Sequence, residues 1–382
     1  MTFHLSTPSR VHRRQLVLGS AAVAASLAWP RMGRAQPKAW AIGSTLDLSD
    51  GERLLGEGLS NGVRACVAAV NKAGGVHGIP LQYEVLDDGF KPEPALANAQ
   101  KLLANPALMA LLTPLGTQQA KALIDAPLDT AVIGPLTGTA ALRQKLVPHV
   151  FWMRATYQQE MDRLIDHAAK LGLNRIGLVH SLDPFGKGMQ ASFEASLARH
   201  KLQPAVLGTT PTTSSMEVGP AAETIAKAAP QALVVGLGGP AAAFIQALQK
   251  RGGSPMLLGL SITANAGTVK ALGTEIEKLI FTSVVPMSSK VGLARAHRAD
   301  MEAAKLGEPT LATMEGYLSA RMFVDALRRA GPGATREAVR QALANNGRAV
   351  NLEGVSVNFD RVQQGSNYVD VVLFNRAGKL MI

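Results

Sequence analysis

Short apolar runs alternate with longer amphipathic stretches, and this alternation runs along the chain twice. It narrows the fold more than any other feature. A strand that returns beside its neighbour in the same direction needs a crossover, and helical crossovers then cover both faces of the sheet. The first pass predicts strands over residues 39–44, 81–86, 108–112 and 131–134. Helices are predicted over 54–72, 93–103 and 117–126, with a short one over 140–145. Leu55, Leu59, Val63, Cys66, Val67 and Val70 share one face of the first helix, and Gly74-Gly75 stops it. After Arg154 the pattern restarts, with strands over 175–180, 205–209, 232–237 and 256–259. Its helices fall over 161–171, 188–200, 221–229 and 241–251. Residues 291–346 read as mostly helical, with Leu311, Met314, Leu318 and Met322 in one stripe, and strands near 355–359 and 368–374 close the chain. The fold class is therefore α/β, with two doubly wound parallel sheets. At 382 residues, 47% of them hydrophobic, the chain can fill two ordinary cores.

The first 35 residues read as an export signal. Arg13-Arg14 is a twin-arginine pair, residues 16–28 are apolar, and Gly33-Arg34-Ala35 offers a small-x-small cleavage site. The apolar run falls short of the roughly 20 residues that a spanning helix needs. No cysteine stands near the cleavage region to carry a lipid. The mature protein is expected in the periplasm, with no membrane insertion after cleavage. Five of the arginines behind the net charge of +11 lie in this leader, leaving +6 spread along predicted helices. No basic stripe with interleaved aromatics occurs, which argues against a nucleic-acid partner. The single cysteine, Cys66, excludes an internal disulfide and sits in an apolar helical register.

The sequence holds no HExxH, paired CxxC, Walker A or GxSxG motif, so no catalytic residue or metal ligand is assigned. Gly236-Leu237-Gly238-Gly239-Pro240-Ala241 is superficially like a dinucleotide fingerprint. Alanine at 241, the intruding Pro240 and the lack of a ribose-binding acid count against it, and no cofactor is expected. His77 and His180 are isolated, and Asp87-Asp88 suits a turn. In open parallel sheets the ligand lies beyond the carboxyl ends of the strands. The loops so placed are 44–53, 113–118, 135–139, 181–187, 236–240 and 260–265, rich in Ser, Thr and Gly and poor in His, Cys and Glu. That composition suits hydrogen bonding to a ligand better than catalysis. Thr117, Thr137 and Thr139 lie at helix starts, where unpaired N–H groups favour an anion; plain N-capping is the alternative for each.

Several segments resemble one family in the same order. They are Asn71-Lys72-Ala73-Gly74-Gly75-Val76-His77-Gly78, Asp87-Asp88, Gly134-Pro135-Leu136-Thr137-Gly138, Arg154-Ala155-Thr156-Tyr157, Asp183-Pro184-Phe185-Gly186 and Glu315-Gly316-Tyr317. Together they are similar to the leucine/isoleucine/valine-binding receptors of ABC transporters, the type I periplasmic binding proteins. The resemblance implies two lobes joined by a three-strand hinge, one of residues 37–155 and 286–368, the other of 156–285 and 369–382. It implies closure on a ligand between the lobes, a monomer, and docking on an inner-membrane ABC permease. A sensory module for a signalling partner is the alternative, and an exported enzyme a third. The ligand-binding positions it implies are Ser49, Thr117, Leu136, Thr137, Thr139, Tyr157, Phe185, Gly238 and Ser261. A family hydroxyl falls on Gly138, and a family aromatic falls near Gly238 or Gly239. The acid that holds the ammonium of amino acids falls on Ser261, with Asp47, Asp50 or Asp183 as replacements. A buried ammonium needs a charge partner, so the expected ligand is a small carboxylate-bearing solute, an organic acid rather than a branched-chain amino acid.

Overall fold

The computed structural model describes residues 38–360 and 364–381, together with Met1, Thr2 and His4. The twin-arginine pair, the apolar run and the cleavage site of the leader lie outside these described residues. Met1–Gln36 clusters as a unit of its own, and Pro37–Ile382 forms the other.

Within Pro37–Ile382 the first sheet is built from β1 (Trp40–Leu46), β2 (Leu81–Asp87), β3 (Leu108–Leu112), β4 (Ala131–Ile133) and β5 (Val150–Phe151). Its order is β2-β1-β3-β4-β5 and every pairing is parallel. The crossovers are α1 (Arg53–Lys72), α2 (Pro92–Leu103) and α3 (Thr117–Asp125), with a 3-10 turn at Ala140–Arg143 before β5. After residues 152–156, α4 (Tyr157–Lys170) leads into the second sheet. There β6 (Ile176–Ser181), α5 (Pro184–Arg199), β7 (Val206–Thr210), α6 (Gly219–Ala228) and β8 (Ala232–Gly236) follow one another. They are followed by α7 (Ala241–Gln249), β9 (Met256–Gly259), α8 (Ala266–Leu272) and β10 (Leu279–Ser283). The chain then forms α9 (Gly292–Ala304), α10 (Leu311–Ala330), α11 (Arg336–Ala344) and a hairpin, β11 (Val350–Leu352) with β12 (Val355–Val357). It ends in β13 (Asp370–Phe374) and β14 (Leu380–Met381).

The second sheet runs β14-β13-β10-β9-β8-β6-β7. The strands from β7 to β10 are parallel, as the alternation requires. β13 and β14 are antiparallel, which the sequence reading did not anticipate. Residues 375–379 link β13 to β14 through a turn, too short for a crossover, so that pair has to be antiparallel. β10 was also not anticipated. Its apolar run is short, and its polar end is buried only because Thr282 and Ser283 donate to Glu160 Oε2 and the Val285 carbonyl, both at 2.6 Å.

Central strands β1, β3, β6 and β8 are buried along their whole length, while β2 at an edge alternates with solvent. α4 starts at Tyr157, ahead of the predicted 161, because Thr156 and Gln159 form a capping box. α5 starts at Pro184, ahead of the predicted 188, because Asp183 accepts from the Gly186 N–H at 3.1 Å and proline suits the first helical position. Helices α1 and α10 touch backbone to backbone. A Cβ at Gly62 would stand 1.9 Å from the Thr313 carbonyl oxygen, and one at Gly316 2.1 Å from that of Leu59. This contact fixes α1, whose first turn faces the site. Cys66 is buried in α1, and burial pushes its thiol up to about 12, so it is an inert core residue.

Candidate functional site

All six loops picked out beyond the strand ends contribute to one cavity of about 220 Å³. From the first-sheet side come Glu52, Leu55, Phe90, Leu115, the 116–119 stretch and Leu136. From the second-sheet side come Asp183, Phe185, the 212–214 stretch, Gly238 and Ile262. Tyr157 completes the wall at the start of α4. The volume lies below the usual span of drug-sized pockets, so the occupant is a small molecule.

At one part of the wall three threonine hydroxyls form a triangle. Thr117 Oγ1 lies 2.8 Å from Thr137 Oγ1 and 3.3 Å from Thr139 Oγ1, and Thr137 donates to Thr139 at 3.0 Å. Only Thr117 lines the cavity; Thr137 and Thr139 stand behind it and orient its hydroxyl. Thr117 is also the first residue of α3, and the N–H groups of a first helical turn have no partner within the helix. Behind the triangle is Arg143, which is buried and donates to the carbonyls of Thr137 at 3.1 Å, Arg154 at 2.9 Å and Gln364 at 3.2 Å. Its guanidinium lies over the Trp152 ring at 4.4 Å. Every one of these acceptors is a neutral carbonyl. Burial, together with the Arg154 charge, lowers its pKa to about 9. A positive charge with no anionic partner among the described residues therefore stands behind the hydroxyls.

Tyr157 and Phe185 meet edge to face at 5.6 Å and supply an aromatic wall. The Tyr157 ring explains Gly138, because a Cβ there would lie 2.6 Å from Tyr157 Cδ1. A side-chain hydroxyl at 138 is excluded, and Thr137 and Thr139 carry the hydroxyls instead.

Four of the nine positions implied by resemblance stand off the cavity wall: Thr137 and Thr139, just behind Thr117, and Ser49 and Ser261. Ser49 is exposed, and its N–H donates to Asp47 Oδ1 at 3.1 Å. Ser261 belongs to a buried polar cluster at the crossing between the sheets. Its hydroxyl accepts from Arg154 Nη2 at 2.7 Å, and its N–H donates to Glu160 Oε2 at 2.8 Å. Arg154 Nη2 also donates to Glu160 Oε1 at 2.7 Å, while Nη1 faces Glu315 Oε2 at 3.6 Å. The other positions, Leu136, Phe185 and Gly238, lie on the wall with Thr117 and Tyr157.

The acids weighed as partners for an ammonium are already engaged. Asp47 accepts the N–H groups of Ser49, Asp50 and Glu52. Asp183 caps α5 and also accepts from Ser181 Oγ and from the N–H and hydroxyl of Thr213. Asp50 is exposed, and Asp87 and Asp88 serve turns by accepting from Leu48, Gly89, Phe90 and Thr45. Glu52 is the carboxylate that the sequence reading passed over. It is buried on the wall, and its Oε1 accepts the Gly239 N–H from the opposite side at 2.7 Å. The same contact explains the missing aromatic: a Cβ at Gly238 would lie 2.4 Å from Glu52 Oε1, and one at Gly239 2.4 Å from the Gly51 carbonyl.

Burial pushes the Glu52 carboxyl from 4.5 up to about 7, opposed by the Gly239 N–H and reinforced by Asp47. The native state therefore holds this proton through a window in which the unfolded chain has lost it. Stability falls as pH rises through that window, by up to roughly 3 kcal/mol. Thermal unfolding of the unliganded protein from about pH 5 to about pH 8 should show this decline. Glu52→Gln should make the slope shallower, and an unchanged slope would assign it to other groups.

The family profile described as periplasmic binding protein matches residues 39–375, and the chain belongs to that family, in its type I form. A substrate-binding periplasmic protein from Ralstonia solanacearum shares 29% identity at a TM-score of 0.80, over 89% of this chain and 99% of that one. A possible leucine/isoleucine/valine-binding protein from Rhodopirellula baltica SH 1 shares 22% identity at a TM-score of 0.81, over 91% and 97%. A fatty acid ABC transporter substrate-binding protein from Thermomonospora curvata shares 19% at 0.76, over 90% and 91%. The latter two are like this chain in fold alone. A search of curated proteins finds no significant match. Among the described residues no helix is long and apolar enough to cross a membrane, and no group of three or more His, Cys, Asp or Glu side chains is placed to hold a metal ion.

Proposed function

We propose that this protein is the solute receptor of an ABC importer, exported by the twin-arginine route, and that it closes as a monomer on a small carboxylate-bearing solute. The two sheets with their helices act as lobes, and the three chain crossings near 154–158, 285–287 and 367–369 act as the hinge. The observation that carries this reading is the threonine triangle at the N-terminus of α3, opening on the cavity, with the Arg143 guanidinium behind it held by neutral carbonyls. Helix N–H groups, a donor hydroxyl and a buried guanidinium all favour an anion at Thr117. The planar carboxylate suits the small, partly aromatic space beside it better than a bulky anion does.

A thermal-shift screen tests the reading. A ligand at 100 times its dissociation constant adds about 2.7 kcal/mol, a shift of several degrees for a protein of this size. Small monocarboxylates should stabilise the protein, while neutral sugars and inorganic phosphate should leave it unchanged. Stabilisation by a sugar or a cation in place of any carboxylate would contradict it.

A further inference from the structure

The cavity wall contains no Arg, Lys or His side chain, yet it contains two acids: Asp183, whose two oxygens already accept from Ser181, Gly186 and Thr213, and Glu52. The Glu52 carboxyl group is buried, and among the described residues the one protein donor it receives is the Gly239 N–H, on Oε1. No protein donor reaches Oε2 among the described residues. The adjacent Arg53 pairs with Glu57 at 2.5 Å and is half exposed. The nearest charge felt by Glu52 is another acid, Asp47. Gly238 and Gly239 hold the carboxyl in place, since neither has room for a side chain against it. Oε2 opens on the cavity, so a ligand that displaces solvent there has to bring a donor or leave the acceptor unfilled at a cost. The cavity is where that donor can come from.

We propose that Glu52 determines the specificity of this site: it admits carboxylates that also carry a hydroxyl or ammonium donor, and it rejects those whose second polar group is another carboxylate. The inference rests on the carboxylate reading given above and narrows it to a ligand class. A donor placed on Oε2 fills the empty acceptor and leaves the Gly239 bond across the cavity intact. A second carboxylate brings like charges together in a site with no lining cation. A plain alkyl group leaves the acceptor unfilled.

Calorimetric titration near pH 8 tests this with two matched series. One is leucine, 2-hydroxy-4-methylpentanoate and 4-methylpentanoate. The other is 5-aminopentanoate, 5-hydroxypentanoate, pentanoate and glutarate. In the series that fits, the donor-bearing members should bind at least about tenfold tighter than the plain alkyl member, the factor that one added hydrogen bond to a charged group supplies. Glutarate should bind weakest of its series. Glu52→Gln keeps an acceptor for Gly239 and turns the free position into an N–H donor. It should erase the preference for donors and improve glutarate. Donor-bearing and plain members binding alike in the wild type, or glutarate binding tightest, would overturn the proposal even if the variant misfolds. An unchanged order in a folded Glu52→Gln variant would overturn it as well. Failure of every carboxylate in both series would overturn the carboxylate reading itself.

Discussion

Arg154→Met should lower the free energy of unfolding by about 3–5 kcal/mol, the cost of stripping one partner from a buried ion pair. Arg154 is 2% exposed and Glu160 is 0% exposed. Water scarcely reaches either, so the charge left on Glu160 would have only the more distant Arg143 as a cation. Its remaining partners are the Ser261 N–H at 2.8 Å and the Thr282 hydroxyl at 2.6 Å, which are neutral. Glu315 loses its cation too. Burial already pushes Glu315 up to about 7, with Arg154 opposing the rise, and removing Arg154 lets it rise further. Arg154→Lys should recover part of the loss, because a point charge replaces the fork that reaches Glu160 and Ser261 together. Urea unfolding of the three proteins measures the effect. Arg154 lies at the first crossing between the sheets, with Glu160 on α4 and Glu315 on α10, so the same variants should alter how readily the halves reorient. A loss within about 0.5 kcal/mol, the range of an ordinary surface change, would show that the cluster is not a joint.

Thr117→Val should weaken binding of the best monocarboxylate about 30-fold. One hydrogen bond to a charged group contributes about 2 kcal/mol, and valine keeps the shape while removing the hydroxyl. Thr137 and Thr139 cannot substitute, because they stand behind Thr117 and do not line the cavity. Thr117→Ser should retain most of the affinity. The unliganded protein should lose only about 1 kcal/mol of stability, the scale of the hydroxyl contacts with Thr137 and Thr139 that valine removes. Calorimetry separates the two effects. Equal affinity for wild type and Thr117→Val would move the anion elsewhere.

The sheets were legible because buried parallel strands read as unbroken apolar runs, as in β3 and β8, and amphipathic helices announce their period. The loops of the cavity followed from topology alone, since ligands gather beyond strand carboxyl ends. What the sequence concealed was direction. Ser49 and Ser261 look like site hydroxyls in one dimension, yet one is exposed and the other accepts from Arg154. Glu52 lay inside the 44–53 loop, but the loops were weighed by composition, and a single glutamate is lost in such an average. Its signal was the pairing with two glycines that lie 186 and 187 positions away in the chain and touch it only after folding. The 212–214 stretch escaped for a similar reason. It follows edge strand β7 and reaches the wall because Asp183 pins Thr213.

The proposed anion position is the Thr117 hydroxyl at the start of α3, in the space between the two sheets. A crystal structure of the protein with the tightest-binding monocarboxylate from the titrations addresses it directly. A carboxylate oxygen should lie within hydrogen-bonding distance of Thr117 Oγ1 and of the first N–H groups of α3, with the rest of the ligand between Tyr157, Phe185 and Glu52. A carboxylate found on any other surface, or oriented toward Glu52 and away from Thr117, would contradict it.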